Sequence, residues 1–87
     1  MKYKVGDKVK IKGRKWFKDK SYDNQIIIGL AIYRCDEYIL EYCNKIMTIV
    51  DIEEPSKHLK STGRYWMKED YKTHVWANEM IECKVEE

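Results

Sequence analysis

Lys8-Val9-Lys10-Ile11-Lys12 (KVKIK, residues 8–12) decides how the rest of the chain is read. Apolar and charged residues alternate with a period of two, which is the signature of a strand with one face buried and the other in water. The alternation begins earlier, with Tyr3 and Val5 at odd positions and Lys2 and Lys4 at even ones. Gly6-Asp7 interrupts it and supplies the chemistry of a tight turn or bulge, so the regular strand is Lys8 to Lys12.

The same stretch is basic. In KVGDKVKIKGRKWFKDK (4–20), eight of seventeen residues are Lys or Arg, and Trp16-Phe17 sits among them. Residues 1–20 carry nine Lys or Arg against Asp7 and Asp19, whereas the rest of the chain carries eight against thirteen acids. The net charge of +2 therefore conceals a positive N-terminal field. On one strand face Lys8, Lys10 and Lys12 present ammonium groups about 6–7 Å apart, near the spacing of phosphates along a nucleic-acid strand. Arg14, Lys15 and Lys18 extend that field, with Lys20 beyond them, and Trp16 or Phe17 offers a ring for an unpaired base. Folding alone also accounts for these residues. Lysine on an edge strand prevents edge-to-edge aggregation, and a Trp-Phe pair in a small protein anchors a loop to the core.

Outward from this strand, Gly13 to Gln25 is polar and turn-rich and reads as a long loop. Ile26 to Tyr33 is β-branched and apolar, either a short buried strand or a segment laid across the core. The period then changes. Cys35, Tyr38, Ile39, Tyr42, Cys43 and Ile46 follow helical spacing, with Asp36-Glu37 suited to the N-terminus and Asn44-Lys45 to the end. Ile46 to Glu53 alternates again as a strand, and Pro55 to Gly63 is a loop. Arg64 to Glu69 and His74 to Ala77 form a hairpin around Asp70-Tyr71-Lys72-Thr73. Asn78 to Ile81 is one helical turn and Glu82 to Val85 a last strand.

The expectation is one domain over residues 1–87, mainly β: about five short strands and one short helix inserted before the central strand, curled into a small barrel that hides its edges. Lys4-Val5-Gly6-Asp7-Lys8-Val9-Lys10-Ile11 resembles the first strand of SH3-like barrels, in the broad sense that includes KOW-type and Mind-bomb-type domains. Asn44-Lys45-Ile46-Met47-Thr48-Ile49-Val50 resembles the G-K-x-x-T-I strand of small phage, prophage and gut-bacterial proteins, with Asn44 where a turn glycine is usual. Tyr65, Glu69, Asp70, Trp76, Glu79, Met80, Ile81 and Glu82 are similar to the Y-x-x-x-E-D … W-x-x-E-M-I/F-E ending of those proteins. The resemblance implies a fold and a phage or mobile-element setting, and no activity.

Catalytic chemistry is not expected. His58 and His74 have no Cys or Ser at dyad spacing, Cys35, Cys43 and Cys83 form no C-x-x-C pair, and the acids Glu53-Glu54 and Glu69-Asp70 fall at a strand end and a turn. No metal, nucleotide or other cofactor is indicated by ligand spacing or glycine pattern. The longest apolar run, Ile26 to Tyr33, has eight residues against roughly 20 needed to span a bilayer, so a reduced cytoplasmic protein is expected. The functional expectation is a binding module that engages nucleic acid or an acidic protein surface through Lys8, Lys10, Lys12, Arg14, Lys15, Trp16, Phe17 and Lys18. Two alternatives stand beside it: an anti-defence or host-takeover factor that occupies a host protein, and an SH3-like adaptor that binds peptides with Tyr65, Trp66, Tyr71 and Trp76. Tyr65 and Trp66 are neighbours on a strand, so one of the two is expected to be exposed.

Overall fold

Val9 and Ile11 are fully buried, and the strand they belong to, β1 (Lys8–Ile11), pairs antiparallel with a neighbour on each side. In the computed structural model, which describes residues 2–29, 31–55 and 63–86, the remaining elements are α1 (Arg14–Lys20), β2 (Gln25–Ile28), β3 (Ala31–Arg34), α2 (Glu37–Leu40), β4 (Ile46–Glu53), β5 (Arg64–Met67), a 3-10 turn (Asn78–Met80) and β6 (Ile81–Val85). The main sheet runs β5-β4-β1-β6, and β2 and β3 form a separate hairpin. The protein is thus mainly β, with six strands among the described residues rather than five. Among the described residues the sheet does not close into a barrel, because β2 and β3 pair only with each other and leave β5 and β6 as outer strands.

The lysines of β1 are therefore on a central strand and not on an edge. The chain's last strand lies beside its first, with Lys10 opposite Cys83 and Lys8 opposite Val85. A register shift between Lys10 and Ile11 leaves Glu82 without a register partner, and its carboxylate meets Lys10 Nζ at 3.3 Å.

Two segments differ from the sequence expectation. Residues 14–20 form a helix inside the expected loop; it buries only Phe17, has no side-chain cap and carries Lys18 and Lys20 in its last turn, where cations complement the helix dipole. Residues 25–34 form a hairpin rather than one segment, with Ile26 opposite Tyr33 and Ile27 opposite Ile32. The reversal starts at Gly29, whose φ of +61° is the left-handed conformation that glycine adopts freely.

The strand Ile46 to Glu53 has the expected bounds, and Met47 and Ile49 point into the core. A bulge between Ile49 and Asp51 then resets the alternation, so that Ile52 packs against the core. The helix after Cys35 is a single turn. Asp36 caps it by accepting from the Ile39 N–H at 3.0 Å, and the turns that follow end at Asn44, φ +66°. Asparagine is among the few residues that tolerate that geometry. The second limb of the expected hairpin reduces to one bridge, Tyr65 with Trp76, whose backbones exchange hydrogen bonds of 2.8 and 2.9 Å.

The core lies between the main sheet, α1 and the β2–β3 hairpin, with Trp76, Tyr65, Phe17 and Met80 among its largest side chains. Tyr65 is fully buried. Its hydroxyl accepts from the Tyr3 N–H and donates to Asn78 Oδ1, and burial above all pushes its pKa upward. A tyrosine held neutral in the fold but free to ionise once unfolded makes the unfolded state bind fewer protons at high pH, so stability falls as pH rises above about 10. Urea unfolding at pH 8 to 11 is expected to show that decline, and to show less of it in Tyr65→Phe measured from its own pH 8 baseline. An equally steep decline in the variant would remove Tyr65 as the source.

Among the described residues no helix is long and apolar enough to cross a membrane.

Candidate functional site

The N-terminal basic residues do not form one uncommitted surface. Lys10 pairs with Glu82, Arg14 with Glu37 at 3.3 Å, and Lys12 lies over the Trp16 ring, 4.7 Å from its centroid. Phe17 is fully buried, edge-on to Trp16 and to Trp76, so its ring is not available to a base. Trp16 is half-buried, with one face taken by Lys12. Lys15, Lys18 and Lys20 are exposed on α1, and no ion pair joins them to a carboxylate among the described residues. What was legible as a basic stripe is in structure a short basic helix beside a strand whose Lys10 is paired with Glu82.

The hairpin aromatics also separate. Tyr65 and Trp76 are fully buried, Trp66 is half-buried, and Tyr71 is 90% exposed. Tyr65 points inward, but Trp66, the member of the pair then expected to be exposed, is only half-buried. Only Tyr71 of the four stands in solvent.

Tyr71 is presented by an unusual turn. Thr73 N–H donates to the Asp70 carbonyl at 3.0 Å across Tyr71 and Lys72, whose φ values are +55° and +62°. Two left-handed residues in succession make a type I′ turn, which ordinarily carries Asn, Asp or Gly. Asp23-Asn24 obeys that preference at the start of β2, with φ +53° and +60°, whereas Tyr71-Lys72 does not. Bulky residues in this region cost on the order of 1 kcal/mol each and persist where neighbouring structure fixes them.

The fixing group is Asp70, 2% exposed. Its Oδ1 accepts from the Lys72 N–H at 3.1 Å, and its Oδ2 accepts from the His74 N–H at 3.2 Å and the Trp76 indole N–H at 3.0 Å, with His74 Nδ1 at 3.3 Å. These donors satisfy a buried carboxylate and tie the turn to the core. His74, itself buried, presents Nε2 to Asp36 Oδ1 at 3.9 Å, so its outer nitrogen faces a carboxylate and not a hydroxyl or thiol. His58 lies outside the described residues. Among the described residues no group of three or more His, Cys, Asp or Glu is placed to hold a metal ion.

Beside this turn lies a cleft of about 370 Å³ lined by Arg34, Tyr38, Glu41, Tyr42, Asp70, Tyr71, Thr73 and His74. Tyr38 stands on α2 and Tyr42 in the turns that follow it, and both line the cleft. Tyr38 is 71% exposed, and Tyr42 packs edge-on against Trp76 and His74 at its base. The Tyr42 hydroxyl has its pKa raised, first by desolvation and then by Asp70, Glu41, Tyr71 and Glu69. The charged groups lining the cleft are the acids Glu41 and Asp70 and the guanidinium of Arg34. Sequence reasoning missed Tyr38 and Tyr42 because they fit the apolar stripe of a helix; the signal that could have found them is a turn, Asp70-Tyr71-Lys72-Thr73, without the residues its geometry prefers.

No protein-family model, curated protein or solved structure matches this chain.

Proposed function

We propose that this protein is a non-catalytic interaction module that binds an extended segment of a partner protein in the tyrosine cleft between α2 and the 70–73 turn. The observation that carries this reading is Tyr71: an aromatic ring set in solvent on a strained turn that a buried, fully hydrogen-bonded carboxylate holds in place. Strain that a structure actively maintains points to function, and tyrosine surfaces bury large area at small entropic cost. The resemblance to SH3-like domains agrees, since such domains bind extended peptides in aromatic grooves. The phage or mobile-element setting, in which the partner is a host protein, rests on the resemblance of the strand around Thr48 and of the C-terminal motif.

The test is selection from a displayed random-peptide library. Selected peptides are expected to bind in the micromolar range and to lose about tenfold or more in affinity with Tyr38→Ala or Tyr71→Ala. In Tyr71→Asn the turn gains a residue it prefers, so unfolding free energy rises by about 0.5–1 kcal/mol while binding falls. Peptides indifferent to both tyrosines would overturn the reading.

A second reading, engagement of nucleic acid or an acidic surface, is favoured by Lys15, Lys18 and Lys20, exposed together on α1. It requires retention on heparin that Lys15, Lys18, Lys20→Glu abolishes and Tyr71→Ala leaves intact. With about three phosphate contacts, affinity for a single strand would fall with a log–log salt slope near −2.

A further inference from the structure

Resting on the segment-binding reading above, we propose that the tyrosine cleft is an anchor for a cationic side chain, a lysine or arginine of the bound segment. The argument begins with what faces the space between Tyr38, Tyr42 and Tyr71. An aromatic ring is negative over its face, and a cation is drawn to it most strongly when several rings and a carboxylate surround the same point. Here three tyrosines line one cleft, and Glu41 shares its wall. The charges around Tyr42 add to this, because Asp70, Glu41 and Glu69 all act on its hydroxyl with the same sign.

The positive groups nearby are already engaged. Arg34, at the rim, turns its Nε toward Asp36 Oδ2 at 3.7 Å, and Lys72 Nζ lies 3.5 Å from Asp51 Oδ2. Asp70 is held by N–H donors from Lys72, His74 and Trp76, which fix its place without removing its charge. An anionic ligand would meet the field of Glu41 and Asp70, and a purely apolar one would leave that field unanswered. A guanidinium or ammonium group answers it, with its aliphatic stem against the tyrosine rings.

The cleft's volume of about 370 Å³ admits one long side chain rather than a folded surface. The backbone of the segment would then cross the exposed ring of Tyr71, and the anchor would enter toward Tyr42.

The experiment is a titration of the full-length, isotope-labelled protein followed by amide resonances, with N-acetyl-arginine amide, N-acetyl-lysine amide and neutral N-acetyl-norleucine amide as probes. Saturable shifts confined to Tyr38, Tyr42, Tyr71 and their neighbours are expected with the two cations and not with norleucine. Glu41→Gln and Tyr71→Ala, both at exposed positions, should each weaken the cation shifts about fivefold or more while leaving the rest of the spectrum in place. Equal shifts with norleucine, or cation shifts that survive both substitutions, overturn the proposal. Library peptides that need Tyr38 and Tyr71 but share no basic residue overturn the cationic anchor and leave segment binding standing. Peptides that need neither tyrosine overturn segment binding itself.

Discussion

Replacing Asp70 by alanine lowers the unfolding free energy by about 3 kcal/mol, which for a domain of this size moves the thermal midpoint down by roughly 12–24 °C. Asp70 is 2% exposed, and its two oxygens are the acceptors for the Lys72 and His74 backbone N–H groups and the Trp76 indole N–H. Alanine leaves the His74 N–H and the Trp76 indole N–H without an acceptor, while the Lys72 N–H keeps the Met67 carbonyl at 3.0 Å, and a buried donor left unpaired costs about 1–3 kcal/mol. Asp70→Asn separates acceptor loss from charge loss. Its single carbonyl oxygen can serve either Lys72 or the His74 and Trp76 donors while its amide opposes the others, so an intermediate loss of about 1.5–2 kcal/mol is expected. Urea unfolding of the two variants checks both values, and a change in Asp70→Ala below about 0.5 kcal/mol would mean that solvent replaces the carboxylate freely. The turn should respond even where the fold survives. Without the Asp70 carboxylate the turn keeps only its backbone hydrogen bonds, from the Tyr71, Lys72 and Thr73 N–H groups, and the cleft loses one of its acids, so Asp70→Asn should lose affinity for cleft-binding peptides on both counts.

That dependence explains which parts of the molecule were legible in the sequence. β1, β4 and β6 were readable because each alternates over several residues, and a period of two admits little else. Asp36 was readable as a cap because its role is local, a carboxylate before the first helical turn. Helix α1 was not readable. Its apolar residues, Trp16 and Phe17, are adjacent, which defines no face, and the element is set by Phe17 entering a core assembled from distant strands. The β2–β3 hairpin was hidden by a continuous apolar run in which Gly29 alone marks the reversal.

The site was legible only in pieces, for the same reason. Tyr71 stands in a segment recognisable as a turn, but its partners Tyr38 and Tyr42 come from α2 and the turns after it, about thirty residues earlier in the chain. Their apolar spacing indicated burial, and the exposure of Tyr38 follows from what packs beside the helix, which no local pattern encodes. The lysines of β1 failed in the opposite direction. Their spacing suggested a free cationic row, and pairing with β6 brought Glu82 to Lys10. Long-range pairing thus moved attention from the conspicuous basic stretch to an inconspicuous turn.

The Trp16-Phe17 pair inside that basic stretch gives the largest expected effect and divides it unequally. Phe17→Ala should lower the unfolding free energy by about 3–5 kcal/mol, and Trp16→Ala by about 1 kcal/mol. Phe17 is fully buried, 6.4 Å from Trp76 and 5.0 Å from Trp16 between ring centroids and edge-on to both, so its removal opens a cavity where α1 meets the core. Trp16 is half-buried, and its loss exposes neighbours already near solvent together with one cation–π contact to Lys12, worth about 0.5–1 kcal/mol. Against a total stability of roughly 4–13 kcal/mol for a chain of this length, Phe17→Ala removes about a quarter or more of it and at the lower end of that range unfolds the chain, while Trp16→Ala remains folded. Urea unfolding followed by circular dichroism distinguishes the two, and a larger loss in Trp16→Ala would mean that α1 packs with its opposite face inward. The asymmetry also governs how Lys15, Lys18 and Lys20 are to be tested. Their exposure depends on Phe17 holding α1 against the core, so loss of heparin retention in Phe17→Ala would report unfolding, whereas the same loss in the triple glutamate variant, folded and equally stable, would report the charge itself.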